Sequence, residues 1–250
     1  MIKPAIFETE TGRQIAYHKT EGSGPSVVFL GGFMSDMNGS KATHLEKWAK
    51  ETGRAYLRFD YSGHGQSSGV FEQGCIGEWA EDAKEVILGL TEGPQVIVGS
   101  SMGGWIALLM AKCIPQKISG LVGIAAAPDF VIDGIWDSFT DEEKATLMSD
   151  GQVPLANEYF DGPYTITKKL IEDGRVQSVL RDPLNLPFPV RLLHGTADTD
   201  VNMDVALRIM EHATGQDIRL TLVKGADHSF SEPDNLAMLR RAIHSVTMKS

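Results

Sequence analysis

Three features are scarce in this sequence of 250 residues: cysteine, positive charge and long apolar runs. Cysteine occurs twice, at Cys75 and Cys113, which excludes a disulfide framework and favours two free thiols in a reducing compartment. The 23 basic residues are outnumbered by 33 acidic ones, so the net charge of −10 argues against binding to nucleic acid or to an anionic membrane. The longest apolar runs, such as Ile106 to Ala111 and Leu121 to Ala127, are far too short to span a membrane.

Targeting signals, internal repeats and low-complexity linkers are also missing from the sequence as written. The first residues, Met1 to Glu8, carry a single lysine and no apolar stretch, which is typical of neither a signal peptide nor a transit peptide. A chain of this length often forms a single α/β domain, and we expect one domain over residues 1–250. We therefore expect a cytoplasmic protein that does not insert into a membrane.

Short apolar runs alternate with amphipathic stretches along most of the chain. Several of these runs show no polar alternation, as expected for parallel strands that are buried on both faces. The predicted strands are Val27 to Leu30, Ala55 to Phe59, Gln95 to Val98, Ile118 to Ile124, Val190 to Leu193 and Ile218 to Val223. The predicted helices are about Lys41 to Thr52, Gly77 to Leu90, Met102 to Cys113, Met203 to Ala213 and Asn235 to Val246. The alternation predicts an α/β fold with a mostly parallel, doubly wound sheet of about eight strands, including an antiparallel edge hairpin near Ile6 and Ile15 to His18.

One interval, about 129–186, breaks this alternation. It contains helical patches at Asp141 to Ser149 and Thr165 to Glu172 among glycines and prolines, and it shows no convincing strand. An insertion of this length at the end of a strand predicts a small helical cap rather than a linker. Its apolar side chains either line a substrate pocket or form the packed face of the cap itself. They are Phe130, Ile135, Trp136, Phe139, Leu147, Met148, Tyr159, Phe160 and Tyr164, of which Phe130, Trp136 and Phe139 are predicted to bind substrate.

A strand-to-helix turn carries the strongest chemical signal in the sequence, a G-x-S-x-G pattern at residues 99–103. The pattern follows the predicted strand that ends at Val98 and precedes the helix that starts at Met102, which is the context of a nucleophile elbow. Small residues permit so tight a turn, so Ser101 is the predicted nucleophile and the Met102 N–H a predicted oxyanion donor. Ser100 occupies a variable position of the pattern and is expected to be a packed turn residue.

A nucleophilic serine needs a base and an acid that orients the base, and after an elbow of this kind the chain order is serine, acid, histidine. Asp198 follows the predicted strand Val190 to Leu193, and His228 follows the next predicted strand. Both positions lie at carboxyl ends of strands, where catalytic groups collect in open α/β sheets. We therefore predict His228 as the general base and Asp198 as its orienting acid, with Asp200 as the rival acid and Asp227 as a weaker one.

Six other histidines compete with His228. His194 ends an apolar strand and is expected to be a hydrogen-bonded structural residue, whereas His64 lies in a tight Gly-His-Gly loop. The remaining four, in an edge strand or in helices, are His18, His44, His212 and His244.

The second oxyanion donor is expected in the loop after the strand Val27 to Leu30. This loop contains Gly31 and Gly32, and glycines let a backbone N–H approach a substrate oxygen. We predict the Phe33 N–H as the donor and Gly32 as a substrate contact. The alternative is that the two glycines only relieve crowding at a turn.

Together these motifs resemble those of the α/β-hydrolases, and the resemblance covers essentially the whole chain. The segments that carry it are Met37 to Lys41, Arg58 to Ser67, Gly93 to Gln95, Gly99 to Trp105 and Arg191 to Gly195. Within that family the sequence is similar to a group of animal mitochondrial palmitoyl-protein thioesterases and acyl-glucuronide esterases and their bacterial relatives. The resemblance implies an α/β-hydrolase fold in which Ser101, Asp198 and His228 match the family triad.

The residues and the resemblance predict a serine hydrolase of carboxylic esters or thioesters that forms an acyl-enzyme on Ser101. The expected substrate is a small molecule or an acylated protein, without a metal, an organic cofactor or a nucleic-acid partner. One alternative is a hydrolase of C–C or amide bonds on the same triad. Another is a ligand-binding protein that keeps the fold without turnover, although such a protein would have no need of all three residues in order.

Overall fold

The computed structural model describes residues 3–155 and 164–247. Within these ranges, strands and helices alternate as the sequence predicts. The strands are β1 (Ala5–Glu8), β2 (Gln14–Thr20), β3 (Ser23–Leu30), β4 (Arg54–Phe59), β5 (Gln95–Ser100), β6 (Ile118–Ile124), β7 (Gln152–Leu155), β8 (Tyr164–Thr167), β9 (Leu184–Asn185), β10 (Val190–Gly195), β11 (Ala213–Thr214) and β12 (Ile218–Val223). The α-helices are α1 (Ser40–Thr52), α2 (Ile76–Leu90), α3 (Met102–Cys113), α4 (Asp141–Asp150), α5 (Lys168–Val176), α6 (Met203–His212) and α7 (Pro233–Thr247).

Eight of the strands form one central sheet in the order β1-β2-β4-β3-β5-β6-β10-β12. The β1–β2 and β2–β4 pairs are antiparallel, and the pairs from β4 to β12 are parallel. This arrangement confirms the predicted α/β fold, its eight strands and its edge hairpin. The order of the strands places the carboxyl ends of β5, β10 and β12 on one edge of the sheet, where the loops that follow them meet.

The sheet is buried on both faces because successive residues of each strand point to opposite sides. On one face, Val28 and Leu30 of β3 join a core that includes Trp79 of α2 and Trp105 of α3. On the other face, Val27 and Phe29 join a second core with residues of α1 and α7. The continuous apolar runs in the sequence therefore mark strands that contact helices on both sides.

The interval 129–186 contains more strand than the sequence predicts. Its residues 131–136 form a π-helix, α4 follows, and β7 and β8 then pair antiparallel with Val153 opposite Ile166. Both of these side chains are buried, so tertiary packing favours extended structure in a segment whose local pattern is weak. The prediction of no strand was therefore wrong, and the predicted helix Thr165 to Glu172 begins only at Lys168. Thr167 ends β8 and caps α5 by accepting the Leu170 N–H.

Polar contacts join the two ends of this interval to each other and to α3. The carboxylate of Asp129, which is fully buried, accepts the N–H groups of Val179 and Leu180 at 2.8 and 3.0 Å. The indole N–H of Trp105 on α3 donates to the Gln177 carbonyl at 3.0 Å. Asp129 therefore joins the start of the interval to its end, and Trp105 joins that end to α3.

Two further predictions can be compared with the described residues. Cys75 is buried and Cys113 is exposed, and both are free, as predicted. No helix in the described part of the chain is long and apolar enough to cross a membrane. The predicted cap residues Tyr159 and Phe160 lie outside the described residues.

Candidate active site

Ser101 lies on the turn between β5 and α3, and its backbone has a conformation that L-residues rarely adopt. Its φ is 55° and its ψ is −119°. Flanking glycines are required here, because a Cβ on Gly99 would lie 2.2 Å from the Gly103 carbonyl oxygen. A Cβ on Gly103 would likewise lie 2.0 Å from the carbonyl oxygen of Leu30. The G-x-S-x-G pattern therefore forms the strand–turn–helix that the sequence predicts, with Ser101 at its corner.

A hydrogen-bonded chain connects the hydroxyl of Ser101 to two residues far away in the sequence. The Nε2 atom of His228 lies 3.1 Å from Ser101 Oγ, and its Nδ1 atom lies 2.9 Å from Asp198 Oδ2. The other carboxylate oxygen of Asp198 accepts the N–H groups of Asp200 and Val201 at 2.9 and 2.8 Å. The loops after β5, β10 and β12 thus bring the three predicted residues together at one edge of the sheet.

The environment of Asp198 keeps its carboxylate ionised. Burial alone would raise the pKa of Asp198, since its side chain has no exposed surface. The hydrogen bonds from His228, Val201 and Asp200 outweigh burial, and the net pKa is below its usual value. A charged carboxylate at Nδ1 favours the imidazole tautomer that presents an unprotonated Nε2 to Ser101.

The competing acids and histidines occupy other positions. Asp227 accepts the Ser229 hydroxyl and the Phe230 N–H, so it organises the turn that carries His228. His194 is buried, and its Nε2 lies 2.9 Å from the Val201 carbonyl oxygen, in agreement with the predicted structural role.

His64 is also buried, away from Ser101. Its ring packs edge-on against Tyr61, Phe71 and Trp79, and burial lowers its pKa despite a hydrogen bond with the Ser62 carbonyl. It therefore belongs to an aromatic cluster rather than to the hydrogen-bonded chain.

The loop after β3 passes directly beside the elbow. A Cβ on Gly32 would lie 3.4 Å from Ser101 Cβ and 3.6 Å from the Ser100 carbonyl oxygen, which are ordinary contact distances, so the loop lies against the elbow but steric crowding does not by itself require glycine here. The ring of Phe33 packs edge-on against Phe71 at 4.9 Å between centroids, which holds the loop in place. Met102 is the first residue of α3, where backbone N–H groups have no acceptor within the helix.

A cavity of about 860 Å³ opens beside Ser101 and His228. Its walls differ in character. The apolar wall comes mainly from the interval 129–186 and consists of Phe33, Phe130, Ile135, Leu155 and Tyr164. The polar wall, from α1 and the loops beside it and around His228, includes Ser35, Asp36, Ser40, Lys41, Asp200, Ser229 and Ser231. The cavity can therefore accept a substrate that has both apolar and polar groups beside the serine.

Two of the predicted substrate residues do not line this cavity. The guanidinium of Arg175 covers the ring of Trp136 at 4.5 Å, and Phe139 is buried in the core. The reason is the π-helical turn, which directs Phe130, Gly134 and Ile135 toward the cavity and Trp136 away from it.

The structure also reveals residues that the sequence analysis did not single out. Lys41, near the start of α1, lines the cavity and donates its ammonium group to the Ser229 carbonyl, one residue after His228. Its neighbour Ser40 shares a hydrogen bond of 2.7 Å with Ser231. Both residues lie in the segment Met37 to Lys41 that carries the family resemblance, but the sequence assigns them no role, because the contact joins segments about 190 positions apart.

Asp198, Asp200 and His228 also carry oxygen and nitrogen atoms that lie within 4.8 Å of one another, as a metal site would require. However, Asp198 Oδ2 and His228 Nδ1 already share a hydrogen bond, which a metal ion would have to replace. The arrangement therefore fits proton transfer to and from Ser101 better than metal binding.

Comparison with known proteins identifies the class. The model of the alpha/beta hydrolase family matches residues 27–239. The chain belongs to this family, and it is a hydrolase.

Particular relatives narrow the class further. The chain is 36% identical to the bovine (Bos taurus) mitochondrial palmitoyl-protein thioesterase ABHD10 over 229 residues, which cover 90% of this chain and 74% of that protein. The human (Homo sapiens) protein of the same name is 33% identical over 226 residues, with the same coverage of both chains. Among solved structures, a putative hydrolase from Agrobacterium vitis S4 superposes with a TM-score of 0.92 at 37% identity, covering 97% of both chains. The mouse alpha/beta hydrolase domain-containing protein 10 superposes with a TM-score of 0.89 at 30% identity, covering 98% of both chains.

Proposed function

We propose that this protein hydrolyses esters or thioesters by nucleophilic catalysis, with Ser101 as nucleophile, His228 as general base and Asp198 as orienting acid. The observation that carries the proposal is the hydrogen-bonded chain from Asp198 through His228 to Ser101 at the wall of a cavity. Each link has the length that proton transfer requires, and the serine occupies a strained turn that exposes its hydroxyl.

The chemistry follows from this geometry. Ser101 Oγ attacks the acyl carbonyl carbon while its proton passes to His228 Nε2, and the carbonyl oxygen becomes a tetrahedral oxyanion. The N–H groups of Met102 and Phe33 donate to this oxyanion, a contribution of about 3 kcal/mol per donor in comparable sites. His228 then protonates the leaving oxygen or sulfur, and the acyl group remains on Ser101. A water molecule, deprotonated by His228, cleaves this acyl-enzyme and restores the free serine.

The apolar residues that line the cavity support an apolar acyl group as the part of the substrate that is retained on the enzyme. Phe130, Ile135 and Leu155 form a wall that water solvates poorly, so a hydrocarbon chain gains free energy by lying against it. The names of the relatives, palmitoyl-protein thioesterases, support a long acyl chain and a thioester as the preferred bond. The interval 129–186 would then act as a cap that selects the acyl group, within a single domain over residues 1–250. The expected location is the cytoplasm, although the curated relatives are described as mitochondrial.

The direct test is labelling with a fluorophosphonate probe, which reacts with activated serines. The wild-type protein and Ser100→Ala are expected to be labelled and active, since Ser100 is the neighbouring hydroxyl and lies outside the hydrogen-bonded chain. Ser101→Ala is expected to lose labelling and at least about 10³-fold in turnover while keeping its circular dichroism spectrum. Labelling that depends on Ser100 would refute the assignment of the nucleophile.

Substrate series separate the competing functions. Chromogenic esters and acyl-coenzyme A thioesters of graded length test the proposed class, and amide and C–C substrates test the alternative hydrolases. A folded wild-type protein that reacts with neither probe nor substrates would be a binding protein with the hydrolase fold.

A further inference from the structure

A second cavity lies on the opposite edge of the sheet from Ser101. Its volume is about 650 Å³, and the residues that matter for its chemistry are Ser23, Trp48, Arg54, Arg240, Arg241 and His244. Ser23 and Arg54 are the first residues of β3 and β4, whereas the hydrogen-bonded chain of the candidate active site lies beyond the carboxyl ends of parallel strands. Since β3 has eight residues at about 3.3 Å each, the two cavities are about 25 Å apart.

The wall of this cavity is positively charged in a protein whose net charge is −10. Arg54 comes from the start of β4, and Arg240 and Arg241 come from α7. None of the ion pairs between described residues includes any of these three arginines. By contrast, two other arginines on strands of the central sheet, Arg58 and Arg191, each form an ion pair with a carboxylate at about 3 Å.

Arg54 is held in place although one of its donors has no partner. Its guanidinium lies 5.4 Å from the centroid of the Trp48 ring, a cation–π distance that fixes the side chain. Its Nη1 atom is buried and forms no hydrogen bond with any described residue. Arg54 nevertheless lines the cavity, and a guanidinium carries five N–H donors, so donors other than Nη1 are the ones that can bind an anionic ligand there.

We infer that this cavity binds a small ligand carrying two linked phosphoryl groups. Guanidinium groups form paired, charge-assisted hydrogen bonds with phosphate oxygens, and three of them around one cavity provide enough paired donors for two phosphoryl groups. The concave shape of the cavity and the net charge of −10 of the chain favour a small ligand over nucleic acid. Free pyrophosphate and a nucleoside diphosphate share this chemistry. This site is independent of the proposed hydrolysis.

Isothermal titration calorimetry of the full chain tests the inference with pyrophosphate, ADP and adenosine. We expect pyrophosphate and ADP to bind, with affinity that falls as salt concentration rises, and adenosine alone not to bind. Equal affinities for pyrophosphate and ADP would show that the protein recognises only the diphosphate group. Tighter binding of ADP than of pyrophosphate would show that the site also recognises the nucleoside. Absence of binding by both pyrophosphate and ADP at millimolar concentrations would overturn the inference.

Variants locate the binding. Arg240→Ala and Arg241→Ala are each expected to weaken binding about tenfold, since each removes a hydrogen bond between charged groups. Arg175→Ala is the matched control, because Arg175 also covers a tryptophan ring but lies outside this cavity. Binding that both cavity variants leave unchanged, in protein with a wild-type melting temperature, would place the ligand elsewhere and refute the site. Ser101→Ala is expected to bind pyrophosphate with the same affinity as the wild type. The binding test therefore remains valid even if the protein does not hydrolyse esters or thioesters.

Discussion

His228 lies within hydrogen-bonding distance of both Ser101 and Asp198, and each contact favours a different property of the imidazole ring. Ser101 needs an unprotonated nitrogen, and Asp198 stabilises the positive charge that the ring gains when it accepts a proton. Because the pKa of Asp198 is held below its usual value, its carboxylate remains charged at mildly acidic pH. The hydrolysis rate is therefore expected not to be limited by protonation of Asp198 at mildly acidic pH, and a pH–rate profile measures this.

Substitution of the two neighbouring acids tests this assignment. Asp198→Asn is expected to lower kcat by about 10⁴-fold, because an amide no longer favours the correct imidazole tautomer. Asp200→Asn should leave kcat nearly unchanged, since Asp200 contacts Asp198 through its backbone N–H, which the substitution preserves. Steady-state kinetics on a short chromogenic ester measures both, with urea unfolding as the control for stability. If Asp200→Asn is the damaging change, Asp200 is the orienting acid.

At the scale of secondary-structure elements, α1 anchors the loop that carries His228. Lys41 donates to the Ser229 carbonyl, and Ser40 shares a hydrogen bond with Ser231. The same turn contains Phe230, which is completely buried and has a φ of 49°. The position of His228 therefore depends on a helix that begins almost 190 residues earlier in the sequence.

Removing the ammonium group of Lys41 should displace His228 without unfolding the protein. Lys41→Met keeps the length and the apolar stem, and we expect kcat to fall about tenfold with KM nearly constant, since one charged hydrogen bond is lost. Lys47→Met is the matched control on the same helix, because the Lys47 side chain is 78% exposed. Slower fluorophosphonate labelling of Lys41→Met would show that Ser101 itself is less activated. Equal kcat in both variants would mean that the helix does not position His228.

The sequence predicts elements well where local pattern and tertiary burial agree. β5 is an apolar run buried on both faces, and the turn that follows it has a glycine signature that steric contacts explain. β7 and β8 were missed because each is short and partly polar, and their extended structure depends on pairing with each other. Lys41 could not be assigned for a related reason: lysine on a helix is usually solvated, and the fold alone brings it to Ser229.

At the scale of the whole molecule, the active-site cavity lies between the edge of the sheet and the interval 129–186. Leu155, at the end of β7, contributes to the apolar wall, whereas Met148 of α4 is 46% exposed. If the interval selects the acyl group, as proposed, one substitution on its side of the cavity should change the length of the acyl chain that the cavity accepts.

Leu155→Trp should shorten the preferred acyl chain. Each methylene that no longer finds an apolar wall loses about 0.8 kcal/mol, or about fourfold in kcat/KM, so long esters should lose activity progressively while acetyl esters keep theirs. Met148→Trp introduces the same side chain outside the cavity and should leave the profile unchanged. The measurement is kcat/KM across acyl esters of graded length. An identical profile for the two variants would place acyl selection elsewhere.

The backbone of Ser101 has a consequence for the evolution of stability in this chain. A residue with a Cβ at φ 55° and ψ −119° carries strain of about 1–3 kcal/mol, which glycine would relieve. Ser101→Gly should therefore unfold at a higher urea concentration than Ser101→Ala. The greater conformational entropy of glycine in the unfolded chain lowers the stability of the folded protein by roughly 0.5–1 kcal/mol, which offsets part of this gain. Both variants lack the serine hydroxyl, so the difference in their stability reports the backbone strain at this position. Selection for thermostability alone would consequently drive this position toward glycine, and the proposed role of Ser101 as the nucleophile accounts for serine there.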